Sequence, residues 1–140
     1  MGQASVIDLS PLRKALGWLS EALTLWREQP AGSVLKPHLR SAVIQSFEFS
    51  YELSVRSLRR VLIERSASED RVTDLSFNDL LRAAADAGLM AEPGAWRVWR
   101  ELRNATSHAY DEVIAERVAT DAQAFCADAK SLLAALEAAA

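Results

Sequence analysis

Lysine, cysteine and histidine are all scarce in this 140-residue chain. A single cysteine, Cys126, rules out an intrachain disulfide and a Cys-rich metal centre. It sits in a helical apolar pattern, which suits a buried packing residue. Lysine occurs only at Lys14, Lys36 and Lys130, so the positive charge is carried mainly by arginine. Arginine's planar fork favours carboxylate or phosphate partners, although genome bias gives the same composition. The net charge of −3 excludes a generally basic nucleic-acid coat but leaves room for a local basic cleft. No charge-free apolar run is long enough to span a membrane, and the N-terminus lacks a basic patch followed by an apolar run. A cytoplasmic protein is expected. No glycine-rich phosphate loop and no recognised ligand spacing appears, so neither a cofactor nor a metal site is expected.

Strand signals are weak throughout. Half of the residues are hydrophobic, which is enough for a real core in one domain spanning residues 1–140. Apolar residues recur three and four apart, which predicts amphipathic helices. The first opens at Ser10-Pro11, with Ser10 as N-cap, carries Leu12, Leu16, Leu19 and Leu23, and stops before the breaker Gln29 to Ser33. The second runs from near Lys36-Pro37 to about Arg65. Its stripe is Ile44, Phe47, Tyr51, Val55, Leu58 and Leu62, with Phe49 and Leu53 widening it to a second flank. So wide an arc suits the centre of a bundle. Ser66 to Asp70 reads as a polar loop. A short third helix is capped by Ser76, with Asp79 completing a box-like pair, and is closed by Gly88. The fourth opens at Glu92-Pro93, carries Trp96, Trp99 and Leu102, and reaches the stretch Arg103 to His108. The fifth starts after the N-cap Asp111, with Ile114, Val118, Phe125, Ala129, Leu132 and Leu136 inward and an Ala-rich end expected to fray. Short loops between such elements predict an all-α, antiparallel bundle of four to five helices.

The two histidines differ in setting. His38 follows Pro37 at a helix start and has no reactive neighbours in sequence. His108 lies among Arg103, Asn104, Thr106, Ser107, Tyr110, Asp111 and Glu112. Helix capping accounts for Thr106, Ser107 and Asp111. It accounts less well for Arg103, His108 and Tyr110. An imidazole can move a proton near neutral pH, and a guanidinium can hold a phosphate. The pair suits metal-independent RNA cleavage, in which a 2′-hydroxyl attacks the adjacent phosphate. That reaction gains from both a base and an acid, and two copies of His108 across a symmetric dimer cleft would supply them. Glu48, Glu52 and Arg56 lie at successive helical turns. They form either an ion-pair ladder or a buried support that orients Arg103. The series Arg97, Arg100, Arg103 and the group Arg56, Arg59, Arg60 read as solvent-facing stripes before they read as RNA grooves.

The run Arg103, four residues, His108, then Tyr110 resembles the signature of the HEPN superfamily, with Asn104 at its frequent polar position. The form with the tyrosine is similar to HepT toxins and nucleotidyltransferase substrate-binding proteins. Leu39 to Leu53, with Phe47-Glu48-Phe49 followed by Glu52-Leu53, resembles a helix of the same subfamily. Gly88-Leu89-Met90 and Trp96 follow in order, so the resemblance covers nearly the whole chain. One departure is Arg56, where a lysine is frequent. The resemblance implies a helical homodimer with a minimal nucleotidyltransferase as partner and RNA as substrate. It implies Arg103, His108 and Asn104 as catalytic residues, and Tyr110 as the tyrosine that the partner adenylylates to neutralise the toxin. The alternative it leaves open is a non-catalytic binding subunit of the nucleotidyltransferase.

Overall fold

The computed structural model describes residues 7–66 and 69–139. Among them the regular structure is entirely helical. The elements are α1 (Ser10–Glu28), α2 (Leu35–Arg65), α3 (Glu69–Thr73), α4 (Phe77–Asp86), α5 (Pro93–Ala105), a 3₁₀ turn (Thr106–His108) and α6 (Glu112–Ala139). The helical bundle expected from periodicity is the architecture observed. No helix among the described residues is long and apolar enough to cross a membrane.

Helix α2 is central. It packs most extensively on α1 and α6 and also touches α3, α4 and α5. Its inward face mixes Val43, Ile44, Phe47 and Leu58 with the buried serines Ser50, Ser54 and Ser57. Phe125 of α6 joins three helices. Its ring meets Phe47 edge-on with centroids 4.9 Å apart, and meets Trp96 and Trp99 at 5.7 and 5.9 Å. Phe47 and Phe125 are fully buried, and burial of each such side chain is worth roughly 1.5–3 kcal/mol. Trp96 and Trp99 are buried core residues. The Trp99 indole N–H donates to Asp128 Oδ2 at 2.9 Å, which satisfies its polar edge.

Several helix ends follow from single residues. Ser76 Oγ accepts from the Asp79 amide at 3.2 Å, and Gly88 at φ +74° takes the left-handed conformation just past α4. Asp111 Oδ1 accepts from the amides of Val113 and Ile114 and so caps α6. Other expectations are corrected. Ser10 does not cap α1; Asp8 Oδ1 accepts from the Ser10 amide and hydroxyl instead. Those two bonds hold the Asp8 carboxyl below its usual range. The segment read as a polar loop carries the start of α3 at Glu69, while Ala67 and Ser68 lie outside the described residues. Buried Val72 ties α3 to the core, and Arg59 donates to the carbonyls of Val72, Thr73 and Leu75. The Ala-rich end stays helical through Ala139, because Leu136 is buried and Ala135 and Ala139 pack against the core. Phe49, expected on a second apolar flank, is 48% exposed.

Candidate functional site at the corner between α5 and α6

Helix α5 ends in a polar sequence that cannot continue inward. Thr106 Oγ1 donates back to the Arg103 carbonyl at 2.6 Å, and Ser107 Oγ to the Asn104 carbonyl at 2.9 Å. Such back-bonding competes with the helical ladder and tightens the last turn into 3₁₀ geometry. The Ala109 amide then bonds the Thr106 carbonyl, and the Asp111 amide the His108 carbonyl, before Asp111 caps α6. An unbroken series of hydrogen bonds thus fixes the backbone from Arg103 to the start of α6.

The Arg103 side chain crosses to α2. Its Nε donates to Glu52 Oε1 at 3.1 Å, one terminal nitrogen lies 3.3 Å from Glu48 Oε2, and the same nitrogen donates to Thr106 Oγ1 at 3.0 Å. Glu48 and Glu52 therefore converge on Arg103 from successive turns of α2. They are not buried: the side chains of Arg103, Glu48 and Glu52 are 31%, 34% and 54% exposed. Two carboxylates against one guanidinium leave the trio with one net negative charge. Arg56, expected as the last rung of a ladder with Glu52, has no ion-pair partner among the described residues, because Glu52 is turned to Arg103. Beneath this cluster lies Tyr51, whose hydroxyl is pushed up to about 12, chiefly by burial and against the pull of Arg100.

His108 and Tyr110 stand on the solvent side of the corner. Both are exposed, Tyr110 at 84%, with His108 Nδ1 3.5 Å from the tyrosine hydroxyl and ring centroids 6.1 Å apart. The phenol can donate to an unprotonated Nδ1. Asn104 is exposed on α5 and Arg103 partly so. The other arginines of α5 are spent on α4: Arg97 donates to Asn78 Oδ1 at 2.9 Å, and Arg100 lies 4.9 Å over the Phe77 ring. His38 is exposed near the start of α2.

Two features went unread in the sequence. Thr106 joins the Arg103 cluster, though its residue type suggested only a helix end. Arg40 of α2 binds Glu112 at 2.8 Å and Glu116 at 3.3 Å, and so clamps the first turns of α6. That contact spans more than seventy residues and has no local signal.

The chain is thus a small helical-bundle protein with a polar corner between α5 and α6, where Arg103 is tied to paired carboxylates of α2. The chain belongs to the nucleotidyltransferase substrate binding protein-like family, which it matches over residues 7–138. Among curated proteins it is 35% identical over 101 residues to a probable ribonuclease HepT of Haemophilus influenzae. That match covers 72% of this chain and 69% of the relative. Among solved structures it is similar to HI0074 of Haemophilus influenzae, which has the fold of a substrate binding domain of a nucleotidyltransferase. There the TM-score is 0.85 at 30% identity, covering 93% of this chain and 99% of the other.

Proposed function

We propose that this chain is a HepT-type toxin: an endoribonuclease that works without a metal and is neutralised by a minimal nucleotidyltransferase partner. The observation that carries this reading is the arrangement at the α5–α6 corner. One partly exposed guanidinium is held in place from α2, and a solvent-exposed imidazole follows five residues later. The probable ribonuclease among its relatives supports it.

In this reaction a neutral His108 takes the proton from a 2′-hydroxyl, whose oxygen attacks the adjacent phosphorus. The 5′-oxygen leaves with a proton from a second acid, giving a cyclic phosphate and a free 5′-hydroxyl. A homodimer that sets two copies of His108 across one cleft supplies both groups. Arg103 stabilises the charge building on the phosphoryl oxygens, and Asn104 orients the phosphate. The partner transfers AMP to Tyr110, whose phenol oxygen attacks the α-phosphorus of ATP and expels pyrophosphate. The resulting anion and base would occupy the approach to His108 and Arg103. The exposure of Tyr110 supports its role as acceptor.

Purified protein should cleave single-stranded RNA in the presence of EDTA, and His108→Ala and Arg103→Ala should abolish cleavage. Cleavage by His108→Ala at the native rate would defeat the catalytic assignment. The similarity to the HI0074 fold favours a second reading, a non-catalytic subunit that serves the nucleotidyltransferase. In that case the native chain binds its partner and gains AMP on Tyr110, seen by mass spectrometry and absent in Tyr110→Phe, yet cleaves nothing.

A further inference from the structure

We propose that the groove between α1 and α2 is a subsite for one unpaired RNA base and its phosphate, next to the Arg103 cluster. The proposal rests on the ribonuclease reading and names where a substrate nucleotide sits. The groove encloses about 430 Å³ and is lined by Lys14, Trp18, Phe49, Glu52, Leu53 and Arg56. That volume falls within the range of small-ligand pockets, roughly 300–1,000 Å³.

Trp18 and Phe49 are 54% and 48% exposed, unlike the other tryptophans, which are buried. Aromatic faces left open to water stack bases of any sequence. Lys14 lies one turn before Trp18 on α1, and Arg56 lies one turn after Glu52 on α2. Neither cation has an ion-pair partner among the described residues, although acidic residues outnumber basic ones in the chain. Two unneutralised cations beside two open aromatic rings complement a ligand that is anionic and flat. A hydrocarbon partner would leave Lys14 and Arg56 unmatched.

The position also fits. Glu52 lines the groove and holds Arg103 Nε, so one carboxylate separates the two. Because the Arg103 trio carries a net negative charge, it attracts a polyanion poorly by itself. Lys14 and Arg56 supply the missing attraction one step away along the strand.

The test uses the full chain and a fluorescein-labelled 2′-O-methyl oligouridylate, which lacks the attacking hydroxyl and cannot be cut. Anisotropy should show binding that weakens about tenfold in Trp18→Ala and recovers in Trp18→Phe. In Arg56→Gln the dependence of log Kd on log salt should flatten by about 0.7. Native affinity in both variants overturns the subsite, and if RNA is still cleaved the ribonuclease reading stands without it. No binding by the native chain also overturns it. If Trp18→Ala converts a dimer into monomers by sedimentation, the face belongs to an interface between copies and the subsite is overturned. Binding with the predicted losses but no cleavage leaves the subsite in place and removes only the ribonuclease reading.

Discussion

Replacing Glu52 by Gln removes the carboxylate that accepts from Arg103 Nε at 3.1 Å. Glu52 is half exposed and Arg103 about a third exposed, so solvent screens the pair and its worth is about 0.5–1 kcal/mol. Glu52→Gln should therefore lower stability by that amount, or Tm by roughly 2–4 °C. In an Arg103→Ala background the loss should nearly vanish. Glu48 and Glu52 then repel each other one turn apart by about 0.2–0.5 kcal/mol, while Glu52, released from Arg103, pairs with Arg56 one turn on for a similar gain. Removing the Glu52 charge ends both together, so Glu52→Gln becomes close to neutral. Urea denaturation followed by far-UV circular dichroism, at one protein concentration and low salt, measures all four proteins. Repeating it at high salt should shrink both effects. An equal loss in both backgrounds would refute the coupling, and Arg103 would then be no more than a neighbour of Glu52.

Phe125→Ala opens the junction of three aromatic contacts and should cost about 3–5 kcal/mol in urea unfolding, with exposed Phe49→Ala costing far less. Asp111→Ala removes the acceptor for two amides at the start of α6 and should cost about 1 kcal/mol, while Asp111→Asn keeps the acceptor and should cost less. The Tyr51 hydroxyl keeps its proton in the folded chain up to about 12 against an ordinary value of 10.0. Above pH 10 the unfolded chain binds fewer protons than the folded one, so stability falls as pH rises through that interval. Tyr51→Phe should flatten this alkaline loss relative to the native chain, read as the difference between their urea midpoints.

Much of the fold was legible because its signals are local. Ser76 and Asp111 cap helices through their own following amides, and Gly88 turns the chain where only glycine is comfortable. The errors fall where tertiary contact decides. Glu69 and Asp70 look like loop residues, yet Arg59 of α2 and buried Val72 hold a turn of helix there. Ser10 does not cap α1 because the Asp8 carboxylate, two residues earlier, takes the Ser10 hydroxyl and amide. At the corner, spacing placed Glu48 and Glu52 on one face of α2, but fifty residues separate them from Arg103. Spacing also joined Arg56 to that ladder, since it cannot see a competing guanidinium arriving from another helix. Phe49 illustrates the same blindness: periodicity marks an apolar residue but does not say whether a neighbour covers it.

The corner divides its work in a way that can be measured. From Arg103 to Asp111 the backbone is fixed by bonds that involve Thr106, Ala109 and Asp111, and the Arg103 side chain ties it to α2. His108 and Tyr110 contribute only a long 3.5 Å contact to one another and otherwise face water. Their positions are thus set by backbone bonds that survive when either side chain is removed. Exposed side chains without a structural partner change stability by less than about 0.5 kcal/mol when truncated. His108→Ala and Tyr110→Phe should accordingly unfold at the native urea concentration, whereas Thr106→Val should not, because Thr106 closes the turn. A large stability loss in His108→Ala would mean that the imidazole helps to build the corner. Any accompanying loss of RNA cleavage would then no longer identify it as the group that moves the proton.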